Sequence, residues 1–206
     1  MSDSSAAIAA GSAQTQIRRL VLTTQAVFFA ALAWCYAVEH GPQTSIDGIS
    51  YYGVHLRTLP VLLVGYLVAA FGLWRTAEYL RSAAVSPVVW WGLRIVALSL
   101  VALLFTPYDR GPVLNWSHMG IGVAGALCQL AISLRLLEVR RTARSVAGFA
   151  VQLTGGLVAA ASLPNWHFPY LLLGEIVYQV GFGWCLIEWT YAVSDLDSPR
   201  RSQIDR

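Results

Sequence analysis

The sequence contains no lysine and few charged residues of any kind. Only 12% of its 206 residues are charged, about half of what a soluble domain carries. The net charge of +3 comes entirely from arginine, and the arginines lie at the ends of apolar runs. This composition excludes an ordinary soluble domain. Because the arginines do not form one basic cluster, it also argues against a nucleic-acid-binding protein.

Cysteine is scarce, and the motifs that usually mark nucleotide or serine-hydrolase chemistry are missing. The three cysteines, Cys35, Cys128 and Cys185, all lie in apolar segments, and none belongs to a CxxC or Cys/His metal spacing. The chain has no Walker loop, no GxSxG motif and no pair of histidines at helical spacing for haem. We therefore expect free cysteines and no cofactor.

Long apolar runs dominate the sequence instead. Hydrophobic residues make up 56% of the chain, and the mean hydropathy is +0.56. Six runs come near the roughly 20 residues with which a helix crosses about 30 Å of hydrocarbon. Because unpaired backbone groups are not tolerated in lipid, each run must be helical. The runs cover about residues 20–38, 59–80, 88–105, 118–137, 146–163 and 169–193. The fold class predicted is an all-α, polytopic membrane protein with a bundle of six transmembrane helices.

The distribution of arginine predicts the orientation in the membrane. Most arginines lie before the first run, after the sixth, or in the loops between runs two and three and runs four and five. Only Arg57 and Arg110 lie in loops on the other side. The positive-inside rule then places both termini in the cytoplasm, and we expect a plasma membrane, such as a bacterial inner membrane. Residues 1–17 are rich in Ser, Ala, Gln and Thr, and we expect them to form a disordered cytoplasmic tail. Residues 18–193 are expected to form the transmembrane domain. Residues 194–206 are expected to form a second cytoplasmic tail.

A dense polar stretch, residues 104–118, separates the third run from the fourth and ends with His118 at the mouth of the fourth. The predicted topology places this stretch outside the cell, together with all four histidines of the chain. In the fourth run, a stripe of polar and small residues shares one helical face: His118, Gly122, Gly125, Gln129 and Ser133. This stripe predicts either a polar cavity that opens outward past His118 or close packing between helices.

The sixth run carries Glu175 and Gln179, one helical turn apart. A carboxyl group within a membrane span has to be neutral or paired, and such groups often serve function. Arg57, Arg110 or protonated His118 could pair with it, and a buried ion pair that only fixes the helix arrangement is the alternative to a functional role. The candidate residues for an outward-facing polar cavity are His118, Glu175, Gln179, Gln129, Asp109, Tyr108, His55 and His167.

Two further groups of polar residues have competing interpretations. The four histidines with Asp47, Asp109 and Glu175 offer ligands for Zn²⁺ or Cu²⁺ and would support metal-assisted hydrolysis of a lipid headgroup. No HxxxH or HExxH spacing aligns two of them, so we predict no metal site. At the cytoplasmic ends, Arg94 is predicted to pair with Glu78 or Glu188 or to extend to the interface, with binding of anionic headgroups as the alternative.

Three short motifs resemble those of a known family. Residues 50–53 (Ser-Tyr-Tyr-Gly), residues 105–109 (Phe-Thr-Pro-Tyr-Asp) and His118 resemble elements of the bacterial six-helix membrane proteins grouped as domain-of-unknown-function family 998, which are distantly similar to DRAM-like proteins. Thr106 departs from the Phe-Pro order of that family. The resemblance implies a six-helix bundle and no assigned reaction.

These observations favour a protein without enzymatic activity. We expect it to bind a membrane lipid or an envelope-biogenesis partner through its outer loops and the cavity around His118 and Glu175. The partner is membrane lipid, another membrane or envelope protein, or a second copy of the chain, and no nucleic acid is expected. The alternatives are a membrane-embedded hydrolase or transferase acting on a lipid headgroup, with or without metal, and a small transporter subunit.

Overall fold

The computed structural model is a bundle of helices. It describes residues 2–163 and 168–204, with side-chain surroundings for residues 13–163 and 168–193. The helices are α1 (Ser2–Val38), α2 (Pro42–Asp47), α3 (Leu59–Ser82), α4 (Pro87–Phe105), α5 (Pro112–Val139), α6 (Ala143–Ser162) and α7 (Leu171–Ile204), with a 3-10 helix (Gly48–Gly53) between α2 and α3. No strand occurs within the described ranges.

Six of the helices are long and apolar enough to cross a membrane, which confirms the predicted fold class. The spans are Ala13–Val38, Leu59–Ser82, Pro87–Phe105, Pro112–Val139, Ala143–Ser162 and Leu171–Val193. Large apolar side chains cover the outside of the bundle, such as Phe71 and Leu98, which are 56% and 59% exposed. Such a surface is costly in water and suits a lipid environment. The chain therefore fits a multi-pass integral membrane protein.

The structure differs from the sequence-based boundaries at three helix ends. Helix α5 begins at Pro112, after Gly111 with φ 109°, because the fixed backbone of proline suits the first helical turn. His118 therefore lies about two turns inside α5 and not at its mouth. Helix α1 extends back to Ser2 and α7 on to Ile204, where the sequence predicts tails. Alanine-rich sequence favours the helical start of α1, and the Gln14 side chain donates a hydrogen bond of 2.8 Å to the Thr190 carbonyl.

Glycines bring α6 and α7 into backbone contact. A Cβ atom on Gly155 would overlap the backbone nitrogen of Tyr178, and one on Gly181 would overlap the backbone nitrogen of Gln152. Small residues of this kind allow close helix approach in lipid, where packing replaces the hydrophobic effect as the driving force. The pair α6–α7 is thus the most tightly packed pair of the bundle.

Helices α5 and α6, by contrast, are not closely packed against each other. Helix α5 packs chiefly against α4, and α6 against α7, so that α5 and α6 contact each other at few places. The main core lies on the other side of α7, where Phe182, Leu186 and Trp189 pack among α3, α4 and α5. The Trp189 indole also donates a hydrogen bond of 3.2 Å to the Ile132 carbonyl of α5. The arrangement leaves a gap between α5 and α6, bordered by residues 115–130 and residues 153–163.

We expect Gly181→Ala to destabilise the bundle, because the added methyl group overlaps the α6 backbone. Overpacking of this kind costs about 1–3 kcal/mol. The measurement is the thermal unfolding midpoint of the purified protein in detergent. The control is Gly120→Ala, whose Cβ would meet no atom within 4 Å. Equal midpoints for the two variants would contradict the tight α6–α7 contact.

Candidate functional site

Residues 42–53, which form α2 and the 3-10 helix, cross one end of the bundle; we call this segment the cap. The cap packs against the start of α7 and against α3. The carboxylate of Glu175 accepts a hydrogen bond from the backbone N–H of Ile49, with 2.6 Å between Oε2 and N. Gly48 has φ 70°, and a Cβ atom there would overlap the Glu175 carboxylate. Glycine at this position therefore allows the cap to reach Glu175.

His118 links the cap to the end of α4. Its Nδ1 lies 2.6 Å from the Thr106 carbonyl oxygen, and its Nε2 lies 2.7 Å from Ser50 Oγ. A carbonyl oxygen only accepts hydrogen bonds, so Nδ1 of the neutral ring carries the proton. Nε2 is then the acceptor, and the Ser50 hydroxyl donates to it.

A second link joins the cap to the loop between α4 and α5. The Tyr108 hydroxyl donates a hydrogen bond of 2.9 Å to Asp47 Oδ2, which also accepts one of 2.7 Å from Gln43. Burial and the bond to Asp47 raise the pKa of Tyr108 above its ordinary value. The phenol therefore stays protonated, and able to donate, throughout the physiological pH range.

Beneath the cap, a cavity of about 570 Å³ runs between α4, α5, α6 and α7; we call it the crevice. Its volume falls within the range of about 300–1,000 Å³ typical of small-molecule sites. Along α5 it reaches from Asn115 to Leu130, about 22 Å at 1.5 Å per residue. Most of its lining is apolar. Polar side chains gather at the cap end: Asp47, Ser50, Tyr108, Asn115, His118 and Glu175. Gln179 also lines the crevice, one turn further along α7 than Glu175.

The crevice opens sideways, between α5 and α6. Leu127 of α5 and Leu157 of α6 both line it, yet they are 61% and 63% exposed. Because α5 and α6 also contact each other at few places, the crevice is open between these two helices. The opening lies within the apolar surface of the bundle, so the crevice communicates with the region that lipid chains occupy.

The structure brings together five of the predicted site residues. His118, Glu175, Gln179, Gln129 and Tyr108 all line the crevice. The predicted partner of Glu175 is wrong: the carboxylate bonds to a backbone N–H of the cap and not to an arginine or to His118.

Three other predicted residues do not join them. Asp109 is exposed beside Arg110, with 3.8 Å between Oδ1 and Nε. His55 stacks on Tyr51 at 3.9 Å between ring centroids and bonds to the Tyr51 carbonyl. His167 lies outside the described residues. Within the described chain, no group of three His, Cys, Asp or Glu residues comes together to hold a metal ion.

Ser50 is the site residue that sequence reasoning missed. It belongs to the Ser-Tyr-Tyr-Gly motif at residues 50–53, and that motif was the available signal. Its partner lies in a different helix, 68 positions along the chain, so spacing alone does not reveal the pair.

At the opposite end of the bundle, the predicted ion pairs of Arg94 are wrong. Glu78 pairs with Arg75 at 2.9 Å, and Glu188 pairs with Arg140 at 2.6 Å. The Arg94 guanidinium instead lies among three indole rings at 5.0 to 5.3 Å from their centroids, those of Trp74, Trp90 and Trp91. Cation–π contacts of this kind stabilise a partly buried arginine without a carboxylate.

We expect Glu175→Ala to loosen the cap, because the Ile49 amide loses its acceptor. A buried donor left without its partner costs about 1–3 kcal/mol, so amide hydrogen exchange in residues 48–53 should accelerate about 5- to 100-fold. Hydrogen-exchange mass spectrometry in nanodiscs measures this change. Glu175→Gln keeps an acceptor oxygen and should show a smaller effect.

The control is Glu138→Ala, which removes an exposed carboxylate paired with Arg135 at the far end of α5. It should leave exchange in the cap unchanged. If Glu175→Ala also leaves it unchanged, Glu175 does not hold the cap in place.

Comparison with known proteins gives no match: no protein-family model, no curated protein and no solved structure matches the chain. The resemblance of residues 50–53, residues 105–109 and His118 to family 998 therefore stays a prediction.

Proposed function

We propose that the protein binds a membrane lipid, with an acyl chain in the crevice and the polar headgroup under the cap. The observation that carries this proposal is the shape of the crevice. It is long, mostly apolar, open towards the lipid-facing surface between α5 and α6, and polar mainly at one end. An amphiphile has the same division into a long apolar part and a polar end.

The polar end of the crevice offers both donors and acceptors to a headgroup. Asn115, His118 and Tyr108 line this end, and Gln179 adds a side-chain amide one turn further along α7 than Glu175.

The cellular setting belongs to the same proposal. Arginine distribution supports cytoplasmic termini, which would place the cap and the headgroup on the outer side of a cell membrane, such as a bacterial inner membrane. A lipid-binding protein with that orientation would suit envelope biogenesis, alone, as a homo-oligomer or with another envelope protein. The resemblance to family 998 is compatible with this setting.

We expect Gly122→Phe to abolish lipid binding by filling the crevice. Gly122 lines the crevice, and a Cβ atom there would meet nothing within 4 Å, so the new side chain begins in open space. Crosslinking by a phospholipid with a photoactivatable acyl chain should fall at least about tenfold, equivalent to about 1.4 kcal/mol. The adducts should map to α5 and α6 in the unmodified protein.

Gly120→Phe is the matched control. Gly120 lies on the same helix with equally open space around it, but it does not line the crevice. Crosslinking should stay at the level of the unmodified protein. Equal crosslinking in both variants would contradict the proposed lipid site.

The proposed orientation has its own test. Green fluorescent protein fused after Arg206 should fluoresce, because a cytoplasmic C-terminus allows the reporter to fold. Alkaline phosphatase inserted after Arg110 should be active, since that loop lies on the other side. An active phosphatase fused at the C-terminus would contradict the orientation.

A further inference from the structure

The hydrogen bonds of His118 have the geometry of a serine nucleophile with its general base. Ser50 Oγ donates to His118 Nε2 at 2.7 Å, and Nδ1–H is held by the Thr106 carbonyl at 2.6 Å. In such pairs a third group fixes the ring so that Nε2 faces the hydroxyl, and the arrangement is identified by geometry and not by sequence order. The absence of a GxSxG motif therefore does not argue against it.

The pair lies between two cavities. Ser50 and His118 line the cap end of the crevice, where the proposal above places the polar end of a lipid. They also line a second cavity of about 20 Å³, together with Tyr66 and Tyr108. A water molecule needs about 10–15 Å³, so this second cavity is large enough for one. The hydroxyl of Ser50 thus has a path to a lipid and a site for water within reach.

We propose that the protein is a serine esterase that cleaves the acyl ester of the lipid bound in the crevice, with Ser50 as nucleophile and His118 as general base. This inference rests on the proposed lipid site, because the crevice delivers the ester. The acyl chain lies in the apolar part, and the ester carbonyl reaches Ser50 at the boundary between the apolar and polar parts.

The reaction proceeds in two balanced steps. Ser50 Oγ attacks the ester carbonyl carbon while its proton passes to His118 Nε2, and the resulting intermediate expels the lipid alcohol, which takes that proton. The product is an acyl-serine. Water then attacks the same carbon, gives a proton to Nε2 and releases the fatty acid as Ser50 recovers its proton. Neither step needs an oxidant, a metal or another co-reactant.

Other residues around Ser50 and His118 would assist the reaction. The side-chain amides of Gln179 and Asn115 line the same cavity and are the candidate donors to the negative oxygen of the intermediate. Glu175 holds Ile49, the residue before Ser50, and so acts as a positioning residue. The third group beside His118 is a carbonyl and not a carboxylate, which orients the ring but stabilises its charged form less. Slow turnover is the expected consequence.

A long-chain alkyl fluorophosphonate tests the nucleophile in the full-length protein in nanodiscs. The serine oxygen displaces fluoride from phosphorus, and peptide mass spectrometry locates the adduct. We expect one adduct, at Ser50, absent in Ser50→Ala and formed at least about 100-fold more slowly in His118→Gln, since a general base contributes about 10²–10⁴-fold. Ser45→Ala, which changes a serine of α2 in the same cap, should react like the unmodified protein.

Turnover is measured with vesicles of phosphatidylethanolamine and phosphatidylglycerol that carry a labelled acyl ester, with the ether-linked analogue as the control. Release of labelled fatty acid from the ester, dependent on Ser50, supports the proposal. Photocrosslinking of lipid in the crevice without a Ser50 adduct on the unmodified protein would overturn the esterase and leave lipid binding intact. Loss of both crosslinking and adduct would overturn the lipid site as well.

Discussion

Inside the bundle, the carboxylate of Glu175 accepts a hydrogen bond from the backbone of a segment that crosses the helix ends. A carboxyl group in an apolar interior is costly unless hydrogen bonds compensate for its lost hydration. The Ile49 N–H supplies one, and Gly48 makes the approach possible because it carries no side chain. The position of the cap follows from this contact. Ser50 follows Ile49 in the chain, and its Oγ lies 2.7 Å from His118 Nε2. On the other side of Ile49, Asp47 accepts a hydrogen bond from the Tyr108 hydroxyl.

The uneven packing of the helices explains why the space under the cap is long and open. Glycines such as Gly155 and Gly181 bring α6 against α7, while α5 stays with α4. The gap between α5 and α6 is therefore a consequence of two tight helix pairs and not of a loose bundle. Its walls are apolar because they continue the lipid-facing surface, and its cap end is polar because cap, loop and α7 contribute side chains there. The lipid that we propose, with an apolar chain and a polar end, matches this division of the crevice.

The sequence predicts the number and type of the spans because bilayer thickness and backbone hydrogen bonding leave few alternatives. Helical periodicity likewise places His118, Gly122 and Gln129 on one face, and the structure has all three lining the crevice. The sequence does not predict which groups the polar side chains contact. Every residue has a backbone N–H, so nothing in the sequence marks that of Ile49 as the donor to Glu175. Arg94 could be matched by charge to several carboxylates, and only the packed structure shows that indole rings surround it instead.

A structure determined by electron cryomicroscopy in lipid nanodiscs tests the central claim, that the crevice holds a lipid whose polar end lies beneath the cap. We expect elongated density along α5 between Asn115 and Leu130, with its wider end close to His118 and Gln179. The Glu175–Ile49 hydrogen bond should be present in the same map. Direct packing of α5 against α6, with no space for a chain between them, would contradict the account.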